Sequence, residues 1–112
     1  MREITDPTEF PFIVHGTNEK AWNDIMNTGL NKMNRNHVHF AIGMPQEGEV
    51  ISGARVNCTV FVEVNMPLAM SDGMKFFVSE NKVVLCAGQD GVIGTQYFKN
   101  VWVKGALVLS NS

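Results

Sequence analysis

The chain has 112 residues, 45% of them hydrophobic and 18% charged, with a formal net charge of -2; that size and composition describe one compact domain with one core. No apolar run approaches the roughly 18 to 20 residues of a membrane span, and Met1-Arg2-Glu3 followed by Asp6-Pro7 lacks the layout of a signal peptide, so an intracellular protein is expected. The mildly acidic balance excludes a free-standing module that holds nucleic acid by bulk electrostatics, because phosphate neutralisation needs a basic excess.

In chain order, residues 1–9 are polar and aperiodic and read as a leader or linker remnant, which leaves 10–112 as the domain proper. Phe10 to Val14 is aromatic and β-branched and predicts a buried strand with Pro11 at its start. That run closes on His15-Gly16-Thr17. Thr17 or Asn18 then caps a helix whose apolar positions Ala21, Trp22, Ile25 and Met26 recur at helical spacing, and Thr28-Gly29 stops it. A second short strand is predicted over Val38 to Ile42, with His37, His39 and Ala41 on one side and Val38, Phe40 and Ile42 on the other. A loop over Gly43 to Gly48 and a short helix over Glu49 to Arg55 follow. Further strands are predicted over Thr59 to Val64, Lys75 to Val78 and Val83 to Cys86, with a helical turn at Pro67 to Met70 and a turn at Ser79 to Lys82. One or two more come from the tail, with Gln96-Tyr97-Phe98, Val101 to Val103 and Ala106 to Leu109. The sum is an α+β domain, rich in strands, with few short helices.

The residues that can carry chemistry fall in two clusters. All three histidines lie in His15-Gly16-Thr17 and Arg35-Asn36-His37-Val38-His39, and no acidic residue occurs from Ile25 through Gln46, a stretch that also carries Lys32. A local cationic rim on a mildly acidic body suits a small anionic ligand or one phosphate group. His15, at a strand end, can bond ribose hydroxyls as donor and acceptor in its neutral form; Gly16 leaves the backbone edge unobstructed; Thr17 adds a hydroxyl. Arg35 offers a permanently charged planar fork for a phosphate. Each has a plainer reading as a turn former, a core imidazole or a salt-bridge partner. Cys58 and Cys86 are isolated among apolar neighbours and are expected as buried, reduced thiols. His37-x-His39 lacks the further ligands of a zinc site, so no metal is expected.

Taken together, Val14-His15-Gly16-Thr17, Trp22, Ile25, Gly29-Leu30, Met33 through Ala41, Ile51-Ser52-Gly53-Ala54-Arg55, Asp72-Gly73, Phe76-Phe77, Ser79, Asn81 and Tyr97-Phe98 form an ordered series. It resembles the C-terminal lobe of the KptA-type RNA 2'-phosphotransferases, from about Phe12 to Lys99. The resemblance implies an ADP-ribosyltransferase-like split β-sandwich, NAD consumed as co-substrate, and an RNA with an internal 2'-phosphate, such as tRNA in splicing, as partner. It implies Arg35 and Arg55 as catalytic residues and His15, Gly16, Thr17, His37, His39 and Ser79 as the NAD side of the site. His37 and His39 are not separable on sequence, with His39 slightly favoured. Arg55 can also be a structural partner for a carboxylate such as Glu49, and Ser79 and Asn81 can simply shape a turn.

Two departures stand beside the resemblance. Family members resemble one another in an N-terminal RNA-binding lobe with a Leu-Arg-His motif and a further arginine; this chain starts fourteen residues before His15 and has neither. It is therefore expected as an excised lobe or a reduced relative, and its activity alone is open. No glutamate matches the carboxylate many ADP-ribosyltransferases use, Glu80 being the nearest, and a phosphate nucleophile, already anionic, needs little help from a base. The alternatives are a stand-alone ADP-ribosyltransferase acting on phosphorylated nucleic-acid ends or protein, and a non-catalytic NAD or ADP-ribose module.

Overall fold

The computed structural model describes residues 1–44 and 58–111. Among them, two four-stranded antiparallel sheets form the body of an α+β fold. The strands are β1 (Arg2–Ile4), β2 (Val14–Thr17), β3 (Leu30–Asn31), β4 (Val38–Phe40), β5 (Val60–Val64), β6 (Phe76–Val78), β7 (Val84–Cys86), β8 (Val92–Ile93), β9 (Phe98–Val103) and β10 (Ala106–Ser110). The helices are α1 (Glu19–Thr28) and α2 (Met66–Ser71). One sheet runs β1-β6-β7-β4 and the other β10-β9-β5-β2, while β3 and β8 make a separate ribbon.

The sheets bury facing rows of alternate residues, as period-two side chains require. Phe40, Phe76, Val84 and Cys86 from one meet Val60, Val62, Phe98 and Val101 from the other. Burial pushes the Cys86 thiol up to about 11, so it is an inert core group. Cys58, expected buried, is only half-buried; neither cysteine is in a disulfide.

Among the described residues, the edges of the two sheets are joined by one backbone bridge. Val14 N–H donates to the Ala41 carbonyl at 2.9 Å and Ala41 N–H to the Val14 carbonyl at 2.8 Å, an isolated bridge between β2 and the residue after β4. The His-x-His alternation ends there: Ala41, expected on the polar side, is 3% exposed, and Ile42, expected inside, is 42% exposed. Turning Ala41 toward Val14 breaks the period.

Two more expectations need correction. The strand predicted over Phe10 to Val14 begins only at Val14, since Pro11 lacks an N–H and constrains Phe10 before it; Phe12 packs on Trp102 instead, ring centroids 6.2 Å apart. The presumed leader is part of the fold. β1 pairs with β6, Arg2 opposite Val78, and Ile4 is 1% exposed within the core. Asp6 caps the 3-10 turn Pro7–Glu9, its Oδ1 accepting the Thr8 N–H at 2.9 Å. Arg2 and Glu9 then tie the segment's two ends, Nη1 to Oε1 at 3.0 Å. The helix predicted over Glu49 to Arg55 lies outside the described residues.

Candidate functional site

Helix α1 begins where sequence chemistry places it. Asn18 Oδ1 accepts the Ala21 N–H at 2.8 Å, and Gly29 ends the helix at φ 87° with its N–H on the Ile25 carbonyl. Trp22 is buried against Phe98, ring centroids 6.2 Å apart, whereas Met26, predicted inside, is 50% exposed. The face bearing Ala21, Asp24, Ile25 and Thr28 forms one wall of a cleft of about 600 Å³, within the usual size of small-molecule sites.

The opposite walls are the parted edges of β2 and β4, carrying His15, Thr17, His37 and His39; the segment Asn31 to Arg35 closes one end. That segment is shaped by its own polar groups. Asn31 Oδ1 accepts the Met33 N–H at 2.8 Å, the Arg35 N–H donates to the Lys32 carbonyl at 3.0 Å, and the Lys32 N–H donates to the Gly91 carbonyl at 3.0 Å. Arg35 is presented on the tip. No carboxylate among the described residues forms an ion pair with it, so the salt-bridge reading of Arg35 finds no support there.

Hydrogen-bond direction decides what the strand edges offer. The Ile13 and Thr17 carbonyls accept from Val64 and Thr59, so Ile13, His15 and Thr17 turn their backbone groups toward β5, and Val14 and Gly16 turn theirs toward β4. One step beyond the Val14–Ala41 bridge, a continued ladder would pair Gly16 with His39. That pair is not made. Instead the His15 ring takes the His39 carbonyl, Nδ1 to O 2.8 Å. Among the described residues the Gly16 N–H and C=O therefore have no backbone partner at the cleft edge.

The same bond fixes a tautomer. A carbonyl accepts only from N–H, so His15 carries its proton on Nδ1 and keeps an acceptor lone pair on Nε2. His39 repeats the arrangement, donating from Nδ1 to the His37 carbonyl at 3.1 Å. Burial holds the His15 imidazole below the ordinary histidine value, with the nearby His39 and Arg35 adding to the effect. Burial likewise lowers His39, with the Arg35 charge next in importance. Edge-on packing against buried Phe40, ring centroids 6.2 Å apart, seats His15. The cleft thus combines two neutral imidazole acceptors, a backbone donor–acceptor pair, an arginine, a lysine and the Asp24 carboxylate.

A family model described as RNA 2'-phosphotransferase, Tpt1/KptA family, matches residues 1–88. The chain belongs to the RNA 2'-phosphotransferase, Tpt1/KptA family. Its relatives include proteins named tRNA 2'-phosphotransferase 1 from Danio rerio, 46% identical over 88% of this chain and 45% of the relative, and from Mus musculus, 46% identical over 88% of this chain and 41% of the relative. The Bos taurus protein of that name is 45% identical over 88% of this chain and 40% of itself. The chain spans less than half the length of these curated relatives.

Within this Tpt1/KptA chain, His15, Thr17, Arg35, His37 and His39 converge on one cleft from three separate segments; Gly16, between His15 and Thr17 in β2, is not among the residues that line it. Ser79 does not join them: its Oγ accepts the Val83 N–H at 3.1 Å and closes the β6–β7 hairpin, the turn-shaping role. Arg55 lies outside the described residues. Asp24 went unforeseen. It sits one residue before the acid-free stretch, and its position three after Ala21 and four before Thr28 on one helical face was the available signal. Among the described residues no cluster of histidine, cysteine and carboxylate groups suits a metal, and no helix is long and apolar enough to cross a membrane.

Proposed function

We propose that this chain carries the NAD-binding part of an RNA 2'-phosphotransferase site on an ADP-ribosyltransferase-like split β-sandwich, acting on tRNA or another RNA with an internal 2'-phosphate. The observation that carries the reading is the opened ladder at Gly16, where the His15 ring occupies the His39 carbonyl. A nicotinamide carboxamide needs one acceptor and one donor side by side, which Gly16 C=O and N–H supply at a position without a Cβ. Ribose hydroxyls donate, and the Nε2 lone pairs of His15 and His39 accept. The family membership supports the acceptor.

NAD supplies an electrophilic ribose carbon whose bond to nicotinamide breaks as a phosphate oxygen bonds to it; the 2''-hydroxyl of the transferred ADP-ribose then attacks phosphorus, and the RNA 2'-oxygen leaves with the proton. The products are RNA, ADP-ribose 1'',2''-cyclic phosphate and nicotinamide. In this scheme Arg35 holds the phosphate and offsets charge as the five-bonded phosphorus forms. The neutral imidazoles orient the ribose without adding positive charge beside the carbon that becomes cationic. Arg55 is proposed as a second phosphate ligand.

A second reading rests on Asp24. A carboxylate at the cleft wall can act as a general base for a neutral acceptor, as an ADP-ribosyltransferase modifying a hydroxyl would need. The discriminating experiment incubates the chain with NAD and a short RNA bearing an internal 2'-phosphate and follows nicotinamide and RNA products. Arg35→Ala is expected to lower phosphate removal by about 10²- to 10³-fold while NAD still binds, and Asp24→Asn to leave it largely intact. Nicotinamide released without change to the RNA, and lost in Asp24→Asn, would select the second reading; no release at all would sink both.

A further inference from the structure

The outer face of the β1-β6-β7-β4 sheet runs into the cleft wall. Register places His39 beside Leu85, Leu85 beside Phe77 and Phe77 beside Glu3, so the four share the face opposite the core, the first three partly exposed and Glu3 exposed. Beyond the last paired residues, a continuation of the same registers would set Ala87 between His37 and Lys75. The His37 ring meets Phe77 in a T-shaped contact, centroids 6.1 Å apart at 64°, and Lys75 is exposed.

We propose that Phe77, with His37 as its wall and Lys75 at its rim, is a nucleobase platform that takes a base of the RNA next to the 2'-phosphate at Arg35. The inference rests on the proposed RNA substrate. Three features carry it. A partly exposed aromatic ring in T-shaped contact with an imidazole gives a surface on which any base can stack. His37 belongs to both the platform and the cleft, so a strand whose phosphate enters the cleft must pass the platform with its neighbouring nucleotide. Lys75 adds a cation where that nucleotide's own phosphate would run. Leu85 extends the apolar floor toward His39.

The test measures equilibrium binding of the full chain to NAD, to a single-stranded RNA pentamer with a central 2'-phosphate, and to two versions abasic on either side of it. Wild type is expected to lose about ten-fold in affinity for one of the abasic RNAs, Phe77→Leu to lose a similar factor for the intact RNA and to ignore the abasic change. Phe77→Tyr keeps an aromatic face and is expected to behave as wild type, with NAD affinity unchanged throughout. Intact-RNA binding by Phe77→Leu equal to wild type overturns the proposal, as does absence of RNA binding by wild type. Weakened NAD binding in Phe77→Leu also overturns it, since the base on the platform would then be the dinucleotide's. The RNA lacking its 2'-phosphate scores the substrate reading separately: equal affinity with and without that group would defeat the reading while the abasic comparison still scores the platform.

Discussion

Two of the three imidazoles at the cleft are set by carbonyls: that of His37, two residues away, for His39, and that of His39, 24 residues away, for His15. Their pKa values are held below the ordinary histidine value in the fold, so between that lowered value and about 6.5 the unfolded chain binds more protons than the folded one. Stability is therefore fully present above about pH 6.5 and falls as pH is lowered through that window. Urea midpoints at neutral and mildly acidic pH should show this loss, and His15→Gln should shrink it; an unchanged pH dependence in the variant would remove His15 from the account. NAD binding should weaken as pH falls through the lowered folded-state value, because protonation turns an Nε2 acceptor into a donor. Sequence reading recognised that His15, Arg35, His37 and His39 belong together, since residue type and order carry that. It assigned His15 both donor and acceptor duties, and only acceptor remains. The lost duty goes to a carbonyl 24 residues away, which no local pattern records.

At the scale of elements, α1 was legible almost to the residue because capping is local chemistry: Asn18 at one end and Gly29 at the other. Gly29 is also a close approach. A Cβ there would sit 2.5 Å from the Ile93 carbonyl oxygen of β8, with φ already at +87°, so Gly29→Ala is expected to cost roughly 3 kcal/mol. It should also shift the Asn31 to Arg35 segment that follows. Chemical denaturation gives the first number, and NAD affinity reports the second. Short elements were less legible. β3 and β8 have two residues each and β1 three, too few for alternation to register, and β1 contributes one buried apolar side chain amid charged neighbours. The start of β2 was misplaced because Phe10 and Phe12 are apolar for packing reasons and Pro11 has no N–H to give a ladder, while Ile13 contributes only its carbonyl, to Val64.

Across the molecule, the first residues complete one sheet and its core. Ile4→Ala, at a 1% exposed position, is expected to destabilise the fold by about 3 kcal/mol, a cost an unstructured leader would not show; a urea titration decides. The α+β class and the crowding of chemistry at one strand end followed from pattern and motif, whereas the parting of the sheets did not, since it depends on Val14 meeting Ala41, 27 positions further along the chain. That single bridge has a kinetic consequence. The Val14 and Ala41 amides are each locked into the other sheet, so they should exchange their hydrogens with solvent slowly, and only when both sheets separate. The Gly16 amide, two residues away on the same edge, should exchange fast in the free protein and slow sharply once a carboxamide occupies the edge. Adjacent even-numbered amides of one strand would then report two different events, the opening of the protein and the arrival of its ligand.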